Sequence, residues 1–188
     1  MNSLKDMPSP SVCYGKVAID NLHLDANYIT GFTDAEGFHI NISQNNNSIG
    51  WVVQLKFLIS LDRRDIALLE SIKLTLGVGK IAKSGKKLIQ YRVSSVEDLS
   101  ATVTHFDKYP LLTQKRADFE LLKRALEIMN RKEHLTSEGL QKIVNIKASM
   151  NKGLSAKLKS AFPNTKPVPC QGTDLSGFTN PQWLSGFT

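Results

Sequence analysis

The chain has 188 residues, of which 41% are hydrophobic and 22% charged, and its formal net charge is +7. This composition is ordinary for a folded globular protein and argues against disorder along the whole chain. No apolar run approaches the roughly 20 residues that a transmembrane helix requires, so no membrane span is expected. The positive charge favours a polyanionic partner such as a nucleic acid, although charge alone does not identify one.

The first predicted helix follows a lead-in over residues 1–24, which we expect to be extended. Asp25 is a favourable N-cap for the segment "ANYITGFTDAEG". Within it, Gly31 and Ala35 lie four residues apart, on one face of the helix. Small residues at this spacing allow close approach of a second helix, so Gly31 and Ala35 are predicted to form a helix interface.

Alternating hydrophobicity from Gly37 onward predicts a β-hairpin, with its turn at the segment "NNNS" over residues 45–48. One face carries the apolar residues Phe38, Ile40, Ile42, Val53, Leu55, Phe57, Ile59 and Leu61. The other face carries the polar residues His39, Asn41, Ser43, Gln54, Lys56 and Ser60. We therefore expect an antiparallel pair of strands with one polar, basic face.

A second hairpin is predicted after an amphipathic helix that begins at Asp62 and ends at Gly77. The segment "VGKIAKSGKKLIQYRVSS" alternates and turns at Ser84 and Gly85. Its inward residues are Ile89, Tyr91 and Val93, and its outward residues are Gln90, Arg92 and Ser94. This hairpin repeats the arrangement of the first one.

The remaining sequence is predicted to be mainly helical. Helices are expected over residues 97–107, 113–132 and 137–150, followed by a Pro- and Gly-rich linker over 154–179. Asn180 and Pro181 then favour another helix start. The order αββαββα predicts an α+β fold in which helices cover one face of a four-stranded antiparallel sheet, while the other face is polar and basic.

A short pattern occurs near both ends of the chain. Residues 29–33 read "ITGFT" and residues 184–188 read "LSGFT", 155 residues apart. Such an interval suggests a duplicated domain. We expect the two segments to pack together, with Gly186 facing Gly31. A further "LSGFT" at 175–179 runs into Asn-Pro and is interpreted as part of the linker.

Glu36 lies where the first helix gives way to the first strand. A carboxylate at a helix C-terminus is unfavourable unless something nearby requires the negative charge. Mg²⁺ prefers one or two carboxylates together with water and phosphate oxygens, and it can activate water for phosphodiester hydrolysis. The residues alone leave two interpretations of Glu36, a solvated acid in a turn or a ligand of a divalent metal.

The segment "ITGFTDAEG" resembles the signature of the LAGLIDADG homing endonucleases. The blocks "LLESIKLTLGVGKI", "HFDKYPLLTQKRADFELLKRA" and "LTSEGLQKIVNIKASMNKGLS" follow in the order of that family. The likeness is greatest to single-chain members with two motifs, found in fungal organellar introns. It implies two saddle-shaped α+β halves that meet through their signature helices, each of which delivers one acidic residue to the DNA.

The resemblance implies roles for particular residues. Glu36 would be the catalytic acid that binds Mg²⁺, Lys115 a phosphate or transition-state contact, and Gly31 and Ala35 part of the helix interface. Lys115 could equally be a solvated residue at a helix start. The sheet face would read double-stranded DNA through His39, Asn41, Ser43, Gln54, Lys56, Ser60, Lys80, Gln90, Arg92 and Ser94. Members often have one more small residue before Phe38, and a one-residue slip would exchange the faces of the first strand.

The function expected from this resemblance is a sequence-specific DNA endonuclease that acts on a long asymmetric site, or the N-terminal half of one. Two alternatives stay open, a maturase that binds intron RNA and a DNA-binding remnant without activity. The expected domains are a LAGLIDADG domain over 25–153 and the start of a second, truncated domain over 180–188. The second carboxylate would then come from the missing domain or from a homodimer partner.

The resemblance also implies a mitochondrial location through organellar coding. The first 27 residues contain no Arg and include Asp6, Asp20 and Asp25. They fit neither a secretory signal nor an Arg-rich, acid-poor transit peptide, so any organelle address is expected to come from elsewhere.

Overall fold

The computed structural model of the chain describes residues 23–46, 49–150, 152–170 and 180–188. The predicted lead-in, apart from residues 23 and 24, lies outside the described residues. The same is true of the "LSGFT" segment at 175–179. None of the helices in the described ranges is long and apolar enough to cross a membrane.

The described ranges contain eleven helices and strands, ten of which follow the predicted order. They are α1 (Ala26–Thr33), β1 (Gly37–Gln44), β2 (Trp51–Asp62), α2 (Ile66–Leu76), β3 (Lys80–Ser84), β4 (Leu88–Val93), α3 (Val96–Lys108), α4 (Lys115–Asn130), α5 (Ser137–Ser149), α6 (Ala156–Ala161) and α7 (Pro181–Phe187). Short 3-10 turns precede α2 and α5. The predicted α+β fold is confirmed.

The four strands form one antiparallel sheet in the order β1-β2-β4-β3. The twelve-residue strand β2 is central, while β1 and β3 are the edges. Phe38 and Ile40 are 4% and 1% exposed, so the apolar face of β1 is the predicted one. No slip of register has occurred, and the polar residues of β1 lie on the face opposite the core.

Aromatic packing joins the sheet to the helices above it. The ring of Phe38 lies 5.0 Å from that of Phe57, 5.8 Å from Phe106 and 5.5 Å from Phe119, measured between centroids. These residues come from β1, β2, α3 and α4, so one cluster ties four elements into a single core. Because α4 is packed on β1 in this way, the first turn of α4 is held close to the start of β1.

Helix ends follow the predicted capping pattern. The Asp25 side chain accepts hydrogen bonds from the amides of Asn27 and Tyr28 and caps α1. Asp62 caps the 3-10 turn before α2, and Gly77 ends α2 with a φ of 71°. Glycine adopts such a left-handed conformation at no steric cost, so these local signals were sufficient to bound the first two helices.

The segment predicted as a linker is partly folded onto the domain. It contains α6, and the Phe162 ring lies 5.2 Å from that of Trp51. The Ser149 hydroxyl donates to the Val168 carbonyl at 2.7 Å, and the Lys166 amide donates to the Asn145 side chain at 3.1 Å. The difference arises because the apolar residues of this proline-rich stretch find sites on the core, which composition alone does not reveal.

Helix α7 packs directly against α1, as the repeated pattern predicts. Asn180 caps α7 by accepting from the Gln182 amide at 2.9 Å. A Cβ on Gly31 would collide with the carbonyl oxygen of Trp183, and a Cβ on Gly186 would collide with that of Tyr28. Both glycines therefore permit the close approach. Each glycine faces a backbone carbonyl of the other helix, and the expectation that Gly186 faces Gly31 itself stays a prediction.

Ala35 differs from its prediction. Helix α1 ends at Thr33, and Ala35 lies in the following turn, exposed to solvent. Its amide donates to the Phe32 carbonyl at 3.2 Å within that turn. Ala35 therefore lies outside the contact between α1 and α7, because α1 ends before it and the chain turns there towards β1.

Candidate active site

The foot of α1 places Glu36 beside the first strand. After the helix ends, the Glu36 amide donates to the Thr33 carbonyl at 2.8 Å, which closes a tight turn before β1. Strand β1 then pairs Gly37 with Leu58 of β2. Glu36 thus lies partly buried between the end of α1 and the last part of β2.

The environment of Glu36 is unusual for a surface acid. Burial raises the pKa of Glu36, while the backbone N–H of Ser60 and the charge of Lys115 act to lower it. Burial is the largest of these effects, so the protein offsets only part of the cost of burying the charged carboxylate. A cation bound at this carboxylate would offset the remaining cost of burying its charge.

Lys115 is the first residue of α4 and lies close enough to Glu36 to affect its charge state. The Lys115 amide donates to the Thr113 hydroxyl at 3.2 Å. Both charged groups oppose the helix dipole, because an acid follows the C-terminus of α1 and a base begins α4. Helix stability favours the opposite signs, so the helix dipoles do not account for this arrangement.

Asp34 is a buried carboxylate whose importance the sequence did not reveal. One oxygen accepts from the amide and hydroxyl of Thr113 at 3.2 and 2.8 Å. The other accepts from the Leu112 amide at 3.0 Å and from the Trp183 indole at 2.8 Å. Two carboxylate oxygens offer about four acceptor sites, so Asp34 is fully occupied and is not free to bind a metal.

Asp34 joins three elements at the candidate site. It lies two residues before Glu36, and its partner Thr113 lies two residues before Lys115. The same carboxylate binds the indole of Trp183 in α7. Asp34 therefore sets the position of Glu36 relative to Lys115. Only its place inside the segment "ITGFTDAEG" could have indicated this, because its partners are distant in sequence.

The ten residues predicted to contact DNA all lie on the polar side of the sheet or at its end. Seven are exposed, namely Asn41, Ser43, Gln54, Ser60, Lys80, Arg92 and Ser94. The other three, His39, Lys56 and Gln90, are partly buried. Pairs on neighbouring strands lie directly opposite each other, namely His39 and Lys56, Asn41 and Gln54, Ser60 and Gln90, and Lys80 and Arg92.

Part of this polar face is linked by hydrogen bonds. The Gln90 amide donates to the Ser60 hydroxyl at 3.0 Å, and Arg92 donates to the Gln90 carbonyl oxygen at 2.9 Å. This row holds donors and acceptors in fixed positions across β2 and β4. Such preorganised groups suit recognition of base edges.

Comparison with known proteins decides the family. A family model described as LAGLIDADG endonuclease matches residues 29–126. The chain belongs to the LAGLIDADG endonuclease family. The matched range contains Glu36, Lys115 and the whole sheet, so the site described above lies within the family domain.

Individual relatives agree with this assignment. "Probable intron-encoded endonuclease 3" of Neurospora crassa is 46% identical over 164 residues, which cover 84% of this chain and 31% of that protein. An "Uncharacterized 50.9 kDa protein in ND4 intron 1" of Podospora anserina is 44% identical and covers 60% of this chain and 26% of its own length. The chain thus spans about a third or less of these curated relatives.

A solved structure shares the fold closely. I-SmaMI bound to an uncleaved DNA target in the presence of calcium ions superimposes with a TM-score of 0.84 and 43% sequence identity. The match covers 87% of this chain and 57% of the I-SmaMI chain.

The LAGLIDADG signature of this chain offers one carboxylate to a metal. In the described part of the chain, no group of three or more His, Cys, Asp or Glu side chains could hold an ion by itself. The buried charge of Glu36 is only partly offset by the protein, whereas both oxygens of Asp34 already accept hydrogen bonds. This donor set fits a cation such as Mg²⁺, which binds one or two carboxylates and completes its shell with water and phosphate oxygens.

Proposed function

We propose that this chain is a DNA-cleaving domain of a homing endonuclease that hydrolyses phosphodiester bonds at a long asymmetric site on double-stranded DNA. The observation that carries the proposal is the placement of Glu36 and Lys115 together next to a polar, basic sheet. A ribbon of strands fits the major groove, and Arg, Lys, Gln and Asn pair with base edges. The names of the endonuclease relatives and the DNA-bound state of I-SmaMI support it.

The proposed chemistry divides between two side chains and one cofactor. Glu36 holds a divalent cation, which we propose is Mg²⁺ and which supplies Lewis-acid stabilisation and an activated water. The Lys115 ammonium neutralises negative charge that develops on the scissile phosphate. Asp34 does not touch the phosphate but keeps Glu36 and Lys115 at a fixed separation through Thr113.

We further propose that α7 belongs to a second LAGLIDADG unit and is the counterpart of α1. The supporting observation is that α7 fills the glycine face of α1 within this chain. A homodimer formed through the same face of α1 would have to displace α7. A second acidic residue for the other DNA strand would therefore come from a second domain and not from another copy.

The proposed location is the mitochondrion, with the protein encoded there by an intron. This proposal rests on the intron-encoded relative of Neurospora crassa and on the Podospora anserina relative named for an ND4 intron. Fractionation of source cells with a mitochondrial marker would test it.

A cleavage assay tests the activity. The substrate is a supercoiled plasmid that carries the intron-insertion sequence, with Mg²⁺ or with EDTA. We expect nicked product only with Mg²⁺, no product with Glu36→Gln, and a loss of about 100-fold with Lys115→Gln. Glu70→Gln makes the same chemical change at an exposed acid of α2 and should cleave normally.

Three outcomes would contradict parts of the proposal. Persistent nicking by Glu36→Gln would exclude Glu36 as the metal-binding acid. Tight binding of the plasmid sequence by the wild-type protein without product would indicate a DNA-binding remnant. Preferential binding of intron RNA would favour the maturase.

A further inference from the structure

A cavity of about 240 Å³ opens at the outer edge of the sheet. It is lined by residues 37–41 of β1, by the first turn of α4 and by the end of α5. Successive strand residues point to opposite faces of a sheet. A cavity that touches five consecutive residues therefore runs along the free edge of β1, beside the polar face of the sheet and not across it. We call this cavity the edge pocket.

The lining of the edge pocket is strongly basic. It contains Lys115, Lys147 and Lys152, with Asp118 as the one carboxylate among its lining residues. His39 completes the polar lining, and its ring nitrogen lies 2.7 Å from the point where a Cβ on Gly37 would stand. The absence of a side chain at Gly37 thus leaves room for the imidazole near the foot of α1.

The charges in the pocket repel one another. Burial lowers the pKa of His39, the charges of Lys152, Lys115 and Lys147 lower it further, and Asp118 acts in the opposite direction. Burial and the charge of Lys152 also lower the pKa of Lys147. Lys115 and Lys147 are partly buried and Lys152 is exposed. Like charges held together in this way raise the free energy of the protein, and a bound anion relieves that repulsion.

We propose that the edge pocket is a phosphate subsite that holds one backbone phosphate of bound DNA. This inference rests on the proposed function and deepens it. The pocket begins at Gly37, directly after Glu36, and it shares Lys115 with the candidate active site. The phosphate held there lies next to the scissile one, and its capture sets the path of the strand past Glu36. His39 then contacts the backbone and reads no base.

The first test measures how DNA binding depends on salt. A fluorescent duplex of about 30 base pairs is titrated with protein by anisotropy between roughly 50 and 200 mM salt. The pocket variant is Lys147→Gln with Lys152→Gln. The control variant, Lys73→Gln with Lys157→Gln, removes the same charge from exposed positions of α2 and α6.

Each phosphate contact contributes about 0.9 to the slope of log K against log salt. We expect the pocket variant to lose about 0.9 of slope and the control variant to lose less than about half of that. Equal losses in the two variants would overturn the subsite and leave only a general charge effect. If the wild-type protein bound no duplex at all, the proposed function would fail together with the inference.

A second measurement needs no variant and so does not depend on folding of the mutants. Lysines of the wild-type protein are acetylated briefly and quantified by mass spectrometry, alone, with the DNA duplex, with an RNA duplex of equal length, or with inorganic phosphate. We expect the DNA duplex to protect Lys147 and Lys152 severalfold more than Lys73 and Lys157. Equal protection by RNA, or by inorganic phosphate at the same phosphate concentration, would overturn the assignment to DNA.

Discussion

Replacement of Asp34 by asparagine tests whether one buried carboxylate holds the candidate site together. Asp34 is 4% exposed and accepts hydrogen bonds from two backbone amides, one hydroxyl and one indole. An asparagine side chain has nearly the same shape but carries one acceptor oxygen, no charge and an NH₂ group that can only donate. At least one backbone N–H then faces another donor, and the remaining bonds lose their charge assistance.

The expected loss follows from the strength of these bonds. A hydrogen bond to a charged group contributes about 1.5 to 3 kcal/mol, and a buried donor without an acceptor costs about 1 to 3 kcal/mol. Leu112 and Thr113 are only partly buried, so water can replace part of the loss at their amides. We therefore expect Asp34→Asn to lower the free energy of unfolding by about 3 kcal/mol. For a chain of this size that corresponds to a fall in Tm of about 6 to 12 °C.

Urea and thermal unfolding, followed by circular dichroism, measure this loss. The matched control is Asp107→Asn, since Asp107 binds Lys123 at 2.6 Å but its side chain is 44% exposed. Exposed ion pairs contribute about 1 kcal/mol or less. A decrease for Asp34→Asn no larger than that for Asp107→Asn would refute the assigned role.

A double-mutant cycle with Trp183→Phe isolates the bond between α1 and α7. Phenylalanine keeps an aromatic ring and removes the indole N–H that Asp34 accepts at 2.8 Å. If the two residues act through that bond, the variants should be non-additive by about 1 kcal/mol. Additive losses would mean that Asp34 stabilises the site only through Leu112 and Thr113.

Three further predictions concern the helix interface and pH. Gly31→Ala should loosen α7 and lower stability by about 1 to 3 kcal/mol, since its Cβ meets the Trp183 carbonyl, whereas Ala35→Ser should melt like the wild type. Glu36→Gln should raise Tm at pH 7.5, because burial raises the pKa of Glu36 and its ionisation therefore disfavours the folded state. This gain in Tm should vanish below about pH 4, where the acid is protonated in both the folded and the unfolded state. Burial lowers the pKa of His105, so the folded state favours the neutral imidazole, and His105→Gln should reduce the stability lost as pH falls from about 7 to 5. Thermal melts at several pH values check all three, and an unchanged acid-induced loss in His105→Gln would contradict the last.

Local patterns were enough to predict the sheet and most helix ends. Alternation placed Phe38 inward and Asn41 outward because a strand repeats every two residues, whatever it packs against. Asp25 and Gly77 marked helix ends because caps act on backbone groups within one turn. These features depend on residues close in sequence, so one amino-acid sequence was sufficient to predict them.

Contacts between distant residues were not predictable in this way. Asp34 meets Thr113 and Trp183, which lie 79 and 149 residues further along the chain. These bonds hold Asp34 just beyond the end of α1 and leave Ala35 exposed. Helical periodicity predicted that the helix continues to Ala35, so it could not indicate this exposure. Likewise, the contact between Phe162 and Trp51 forms only in the folded protein. Composition therefore predicted an unstructured linker where part of the chain packs on the domain.

The docking of α7 on α1 also has a consequence for how the protein responds to concentration. Because α7 belongs to the same chain as α1, its effective concentration at α1 is on the order of millimolar. A free copy of the protein at ordinary micromolar levels would seldom displace it. The glycine face of α1 should therefore stay covered over a wide range of dilution, and Tm should not depend on protein concentration.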